Sequence, residues 1–160
     1  MTEQTIEHAQ PLTVLAEDEA IFRDSVRAFA EARVRPLVRD MDEQAKIPRA
    51  LVLELFELGI MGIEVPDAYG GAGGRFFHAV LAVEELSRVD PSIGVLVDVQ
   101  NTLVINAVLR FGHDDIKRRW LPALASGTVG AYALSEAGSG SDAFALTTRA
   151  REDGDAYVLS

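Results

Sequence analysis

The stretch from Leu134 to Phe144, LSEAGSGSDAF, places three serines, two glycines and two carboxylates within eleven residues. A Gly/Ser-rich turn lets successive backbone N–H groups point the same way, forming a concave anion site to which serine hydroxyls add donors. Phosphate binding is therefore open to this stretch; so is plain service as a surface turn between two strands. It is not a nucleophile elbow, because the order is Gly138-Ser139-Gly140-Ser141 and no strand-turn-helix pattern follows. Nor is it a P-loop, since no GKS or GKT is present.

A second group of polar residues, Gln100, Asn101 and Thr102, interrupts the long apolar run IGVLVDVQNTLVINAVL, Ile93 to Leu109. Asp98 and Asn106 interrupt it too, so the run reads as a buried helix and not as a membrane span. Polar groups on a buried helix are costly unless bonded. These residues either form a structural hydrogen-bond set or face a cavity.

Other chemistries are excluded or unsupported. The chain has no cysteine, which removes disulfides, thiol nucleophiles and cysteine-ligated metals. His8, His78 and His113 lack metal-ligand spacing, so no metal site is expected. With 15 basic and 25 acidic residues the net charge is −10, which disfavours nucleic acid and anionic membrane as partners. The first twenty residues carry no Lys or Arg and no apolar leader core, so neither a secretory signal nor a transit peptide is expected. A cytoplasmic, bacterial-like location follows as the expectation.

The elements that must position these groups are mostly helical. Phe22, Val26, Phe29, Ala30 and Val34 follow the 3–4 spacing of one apolar face, with Pro36 expected to kink or restart the helix. IPRALVLELFELG predicts a second helix, with Pro48 at its first position and Gly59 at its stop. MGIEVPDAYGGAGG reads as a short extended piece and a loop. Phe76 to Val89 is helical again, and Asp90-Pro91 caps the apolar helix that ends near Gly112. DDIKRRWLPALASG forms one more, with Trp120, Leu121 and Leu124 as core. Lys117, Arg118 and Arg119 form its solvated face. From Thr128 the pattern changes: TVGAYALS, ALTTRARE and AYVLS predict strands, the last two joined through Asp153-Gly154. The chain stops at Ser160, inside or just after a strand, and the sheet reads as unfinished.

YALSEAGSGSDAFALTTRA resembles the flavin-binding signature of the acyl-CoA dehydrogenases. The likeness extends backwards through MGIEVPDAYGG, VLAVEELSRVD, QNTL and LPALASGTVG, in the family's order. SEAGSGSDAFAL together with DVQNTL is most similar to the short/branched-chain subgroup. The resemblance implies a mainly α fold: an N-terminal helical, up-down bundle domain over residues 1–127, then the first strands of a middle β domain over 128–160. The C-terminal helical domain is absent from this stretch.

The resemblance also implies FAD as cofactor. Tyr132, Ala133, Leu134 and Ser135 would line the flavin ring, while Gly138, Gly140 and Ser141 would sit at its pyrophosphate. Glu136, Ala137 and Ser139 belong to the same cofactor-binding turn. Glu136 and Asp142 would act structurally there, satisfying nearby backbone or pairing with basic groups. Ser141 would also face the acyl-CoA, with Gln100, Asn101, Leu103 and Val104 at the floor of the acyl pocket. The implied activity is α,β-desaturation of short or branched acyl-CoA thioesters, in fatty acid metabolism or branched-chain amino acid degradation. Electrons would leave to an electron-transfer flavoprotein, and the complete protein would be a homotetramer. No catalytic residue is expected in this chain, because the family's general base lies in the C-terminal domain, so the chain alone is expected to be inactive. The alternative is a non-catalytic acyl-CoA- or protein-binding assembly module derived from a dehydrogenase half.

Overall fold

The computed structural model describes Pro11 and residues 14–160. The reading of the N-terminus as lacking a leader, and His8, lie mainly outside the described residues. The chain divides into two compact units, Met1–Gly130 and Ala131–Ser160.

The first unit is helical. Helix α1 (Glu17–Phe29) begins with three acidic residues, which complement the positive end of the helix dipole. The Glu19 carboxylate accepts the Ala16 N–H at 2.9 Å, satisfying one of the free donors of the first turn. Pro36 does not stop the chain's helical course. A π-helical turn (Ala30–Val34) and a short 3₁₀ turn (Arg35–Leu37) absorb it, and α2 (Val38–Gln44) follows. The missing proline N–H forbids the regular bond to the preceding turn, and changing the helical pitch removes that demand. Pro48 is the N-cap of α3 (Arg49–Glu57), one position before the expected place.

Helices α4 (Phe76–Ser87) and α5 (Pro91–Asp98) are joined by a short connection and pack closely. The Asp90 carboxylate caps α5, accepting the Ser92 and Ile93 N–H groups at 2.8 and 3.1 Å. Near this corner, Gly94 lies so close to Ser87 that an added Cβ would fall 2.0 Å from the serine Oγ. Glu85 on α4, 2% exposed at its side chain, accepts from the Nε and Nη2 of Arg27 on α1 at 2.8 and 2.7 Å. The Arg27 hydrogen bond holds the Glu85 carboxyl below its ordinary pKa.

After α5 the helix widens into a π-helical segment (Val99–Ile105) and resumes as α6 (Asn106–Phe111), followed by α7 (Asp114–Ser126). Two apolar clusters form the core. One gathers Val26, Ala30, Val34, Leu51, Leu55, Leu86, Ile93 and Val97, and the other Val65, Ile105, Leu121 and Leu124. By length and composition the Pro91–Phe111 run could cross a bilayer. Its centre, however, carries the buried amides of Gln100 and Asn101 bonded to other segments of the same unit. Leu121 and Leu124 point inward as expected. Trp120 is instead 40% exposed, with the Arg119 guanidinium 5.1 Å from its ring. Residues three apart share a helix face, whereas position 120 falls on its flank.

In the second unit, β1 (Ala150–Asp153) and β2 (Ala156–Leu159) pair antiparallel, Ala150 opposite Leu159. The loop is Gly154–Asp155, with Gly154 at φ +62, one residue later than the sequence signal suggested. Thr128–Ser135 was expected to be a strand but forms no ladder among the described residues. β propensity alone makes no strand: a ladder needs a partner backbone, and no described segment offers one here.

Candidate functional site

Two groups of the residues singled out by sequence come into focus, one in each unit. In the second unit, the turn Glu136–Ser139 is closed on itself. The Glu136 N–H donates to the Ser139 carbonyl at 2.9 Å, and the Ser139 N–H to the Glu136 carbonyl at 3.1 Å. The Ser139 Oγ, buried, donates to the Asp142 carbonyl at 2.8 Å. Ser139 therefore braces the loop from within. Its neighbours Ala137, Gly138, Gly140 and Ser141 stay exposed.

Both carboxylates of the stretch face backbone donors. Glu136 accepts the N–H groups of Thr147 and Thr148 at 2.8 and 3.1 Å and the Thr147 hydroxyl at 3.1 Å. These bonds, that of the Thr147 N–H above all, pull its pKa down to about 2. Asp142 accepts the Phe144 N–H at 3.1 Å, an Asx turn. By contrast, the N–H groups of Gly138, Gly140 and Ser141 donate to no acceptor among the described residues. The space beside both glycine Cα atoms is open for 4 Å. The result is a short exposed arc of free amide donors, approachable by an anion, with the nearby negative charges engaged elsewhere. Tyr132, Ala133, Leu134 and Ser135, leading into the arc, are all exposed.

In the first unit, Gln100 and Asn101 are 1% and 0% exposed. The Asn101 amide donates to the carbonyls of Ile60 and Val97 at 2.8 and 2.9 Å, and its carbonyl accepts the Ile63 N–H at 2.9 Å. The Gln100 amide donates to the carbonyls of Leu124 and Thr128 at 2.8 and 2.9 Å, and its carbonyl accepts the Gly130 N–H at 2.8 Å. Both NH₂ groups are thus fully engaged with backbone. Thr102 bonds back to Asp98 within its own helix. Leu103 is exposed and Val104 half-buried, so on this helix the apolar residues, not the amides, have surface to offer a ligand.

Sequence reasoning did not anticipate the tie from Gln100 to Gly130, nor that Gly130 lies against Val104. An added Cβ there would meet the Val104 Cγ1 at 2.4 Å. A polar residue inside an apolar helix was the available signal. Its partners, 24 to 30 residues further on, were not.

Residues 16–128 match the family profile of the acyl-CoA dehydrogenase N-terminal domain. The chain is 48% identical over 152 residues to a probable short/branched chain specific acyl-CoA dehydrogenase of Dictyostelium discoideum, covering 94% of this chain and 37% of that protein. It superposes with a TM-score of 0.84 on a glutaryl-CoA dehydrogenase of Mycobacterium smegmatis solved in complex with FADH2, at 35% identity, covering 91% of this chain and 38% of that one. A chain from the structure of the electron transferring flavoprotein of Acidaminococcus fermentans matches with a TM-score of 0.86 and 37% identity, over 91% and 39% of the two chains. The chain spans little more than a third of the length of the curated relatives it matches.

Proposed function

The chain belongs to the acyl-CoA dehydrogenase family, and from that premise we propose that it is the N-terminal portion of a flavoprotein that α,β-desaturates short or branched acyl-CoA thioesters. The observation that carries the reading is the arc of N–H groups at Gly138, Gly140 and Ser141 that find no acceptor among the described residues. Open space beside the glycines admits a pyrophosphate to hydrogen-bonding distance of the backbone. The two carboxylates that would repel it are bonded to Thr147, Thr148 and Phe144 instead. The residues present therefore fit FAD, which when bound supplies the acceptor for the substrate's β-hydride.

In this reading, Tyr132, Ala133, Leu134 and Ser135 border the flavin ring, and Ser141 also reaches the acyl-CoA. Leu103 and Val104 offer apolar surface to the acyl chain, while Gln100 and Asn101 hold the helix that carries them. The base that takes the α-proton is supplied from outside these 160 residues. In support, the carboxylates beside the arc are engaged with backbone, and Glu85 is paired with Arg27 in the helical core. Electrons pass to an electron-transfer flavoprotein, and the complete protein assembles as a homotetramer.

The test is to purify the protein from its full reading frame, measure FAD per polypeptide, and follow dye reduction with isobutyryl-CoA or 2-methylbutyryl-CoA. Stoichiometric FAD with substrate-dependent reduction is expected. Acyl-CoA binding without flavin or turnover would overturn the reading in favour of a non-catalytic binding module.

A further inference from the structure

We infer that Gln100 is a positioning residue: its amide ties the helix bearing Leu103 and Val104 to the Thr128–Gly130 linker and so sets where the flavin-contacting segment begins. This rests on the flavin reading above. A buried glutamine in an apolar helix needs partners to offset its desolvation. Capping the end of α7 explains only one of the partners found. The Leu124 carbonyl lies in the last turn of α7, where carbonyls lack intrahelical donors, and Gln100 satisfies it.

The other two bonds serve nothing in that helix. The Thr128 carbonyl and the Gly130 N–H lie beyond Ser126, where the chain carries no ladder of its own. Together they hold the linker from both its carbonyl and its amide side. Gly130 adds a steric constraint, because its Cα rests on Val104 with no room for a side chain. Gln100 and Val104 stand four residues apart, so one face of the π-helical segment both bonds the linker and abuts it. Tyr132 follows Gly130 by two peptide bonds, so it starts within about 7 Å of a fixed point.

The experiment uses the protein expressed from its full reading frame. Gln100→Met keeps the side-chain length and removes every polar atom. It is expected to weaken FAD binding by at least about ten-fold, alter the visible circular dichroism of retained flavin, and abolish exchange protection of the Gly130 amide. Leu55→Ala, in the other core cluster, serves as a control for lost stability. It is expected to lower the Tm at least as much while leaving FAD affinity and the flavin spectrum unchanged. Gly130→Ala is expected to weaken FAD on its own, and Val104→Ala to restore it in the double variant. This pair carries the test if Gln100→Met does not fold. Unchanged FAD affinity in Gln100→Met, an equal loss in Leu55→Ala, or no rescue by Val104→Ala would overturn the inference. An unaltered protein that holds no FAD would overturn the flavin reading and, with it, the role of Gln100 in placing the flavin-contacting segment, but not its tie to the linker. That result is distinguishable, since Gly130 protection would still respond to Gln100→Met.

Discussion

The side-chain carbonyl of Asn101 accepts the backbone N–H of Ile63 at 2.9 Å, joining the middle of the long apolar helix to a turn 38 residues earlier in the chain. The same amide donates to the Ile60 carbonyl at 2.8 Å, so one fully buried side chain holds two points of the Ile60–Ile63 turn. Gly74 donates to the Ile63 carbonyl at 2.7 Å, but the Ile60 carbonyl and the Ile63 N–H have no partner other than Asn101 among the described residues, and without it both would be left unpaired.

Asn101→Leu should therefore destabilise the helical unit by about 3 kcal/mol, the cost of leaving buried donors and acceptors unpaired. Asn101→Asp keeps the acceptor for Ile63 but faces the Ile60 and Val97 carbonyls without donors, and should be comparably damaging. Urea unfolding followed by circular dichroism measures both. A change below about 0.5 kcal/mol in Asn101→Leu would show that the turn holds without it.

Arg27 and Glu85 should behave asymmetrically. Arg27→Met leaves a 2%-exposed carboxylate whose nearest remaining cation among the described residues is Arg88, 3.9 Å away, and should destabilise the helical unit. Glu85→Gln, which retains an acceptor for the guanidinium, should cost less. Because the folded-state pKa of Glu85 is depressed, its stabilisation is present above the ordinary carboxylate value and lost as pH falls below it. Thermal unfolding of the unaltered chain from pH 7 to 3 should show a decline that Glu85→Gln reduces.

Glu136 gives the hairpin unit its own acid sensitivity. Its pKa lies at about 2 against an ordinary 4.5, so the contribution is complete above pH 4.5 and disappears as pH approaches 2. Carboxyl NMR should find it ionised at pH 3.5. Protection of the Thr147 and Thr148 amides should survive to that pH and then fade, and Glu136→Gln should remove this pH dependence. A Glu136 titrating near 4.5 would mean the two threonine amides are not bound to it.

Gly140→Val should reduce flavin content more than it reduces turnover per bound flavin, because its branched side chain would occupy the approach to the amide arc. An added Cβ there meets nothing within 4 Å and Gly140 has no positive φ, so the backbone accepts a side chain at this position. Loss of flavin with unchanged Tm is thus the expected pattern. Ser141→Ala removes one hydroxyl donor and should weaken both FAD and acyl-CoA binding by about 1–3 kcal/mol at most. Stoichiometric flavin in both variants would reduce the arc to a surface turn.

The order of helices, the Asp90 cap and the hairpin could be read along the chain, because capping, periodicity and turn chemistry act over a few residues. Leu121 and Leu124 were legible for the same reason, and the ordered blocks around SEAGSGSDAF carried the family likeness. The tertiary structure decided everything that depends on a distant partner. It alone placed the amides of Gln100 and Asn101 on backbone groups 24 to 41 residues away, and turned Glu136 towards Thr147 and Thr148. Among the described residues it gave Thr128–Ser135 no ladder and the amides of Gly138, Gly140 and Ser141 no acceptor. A hydrogen bond needs a donor and an acceptor in register within about 3 Å, and local sequence names only one of the two.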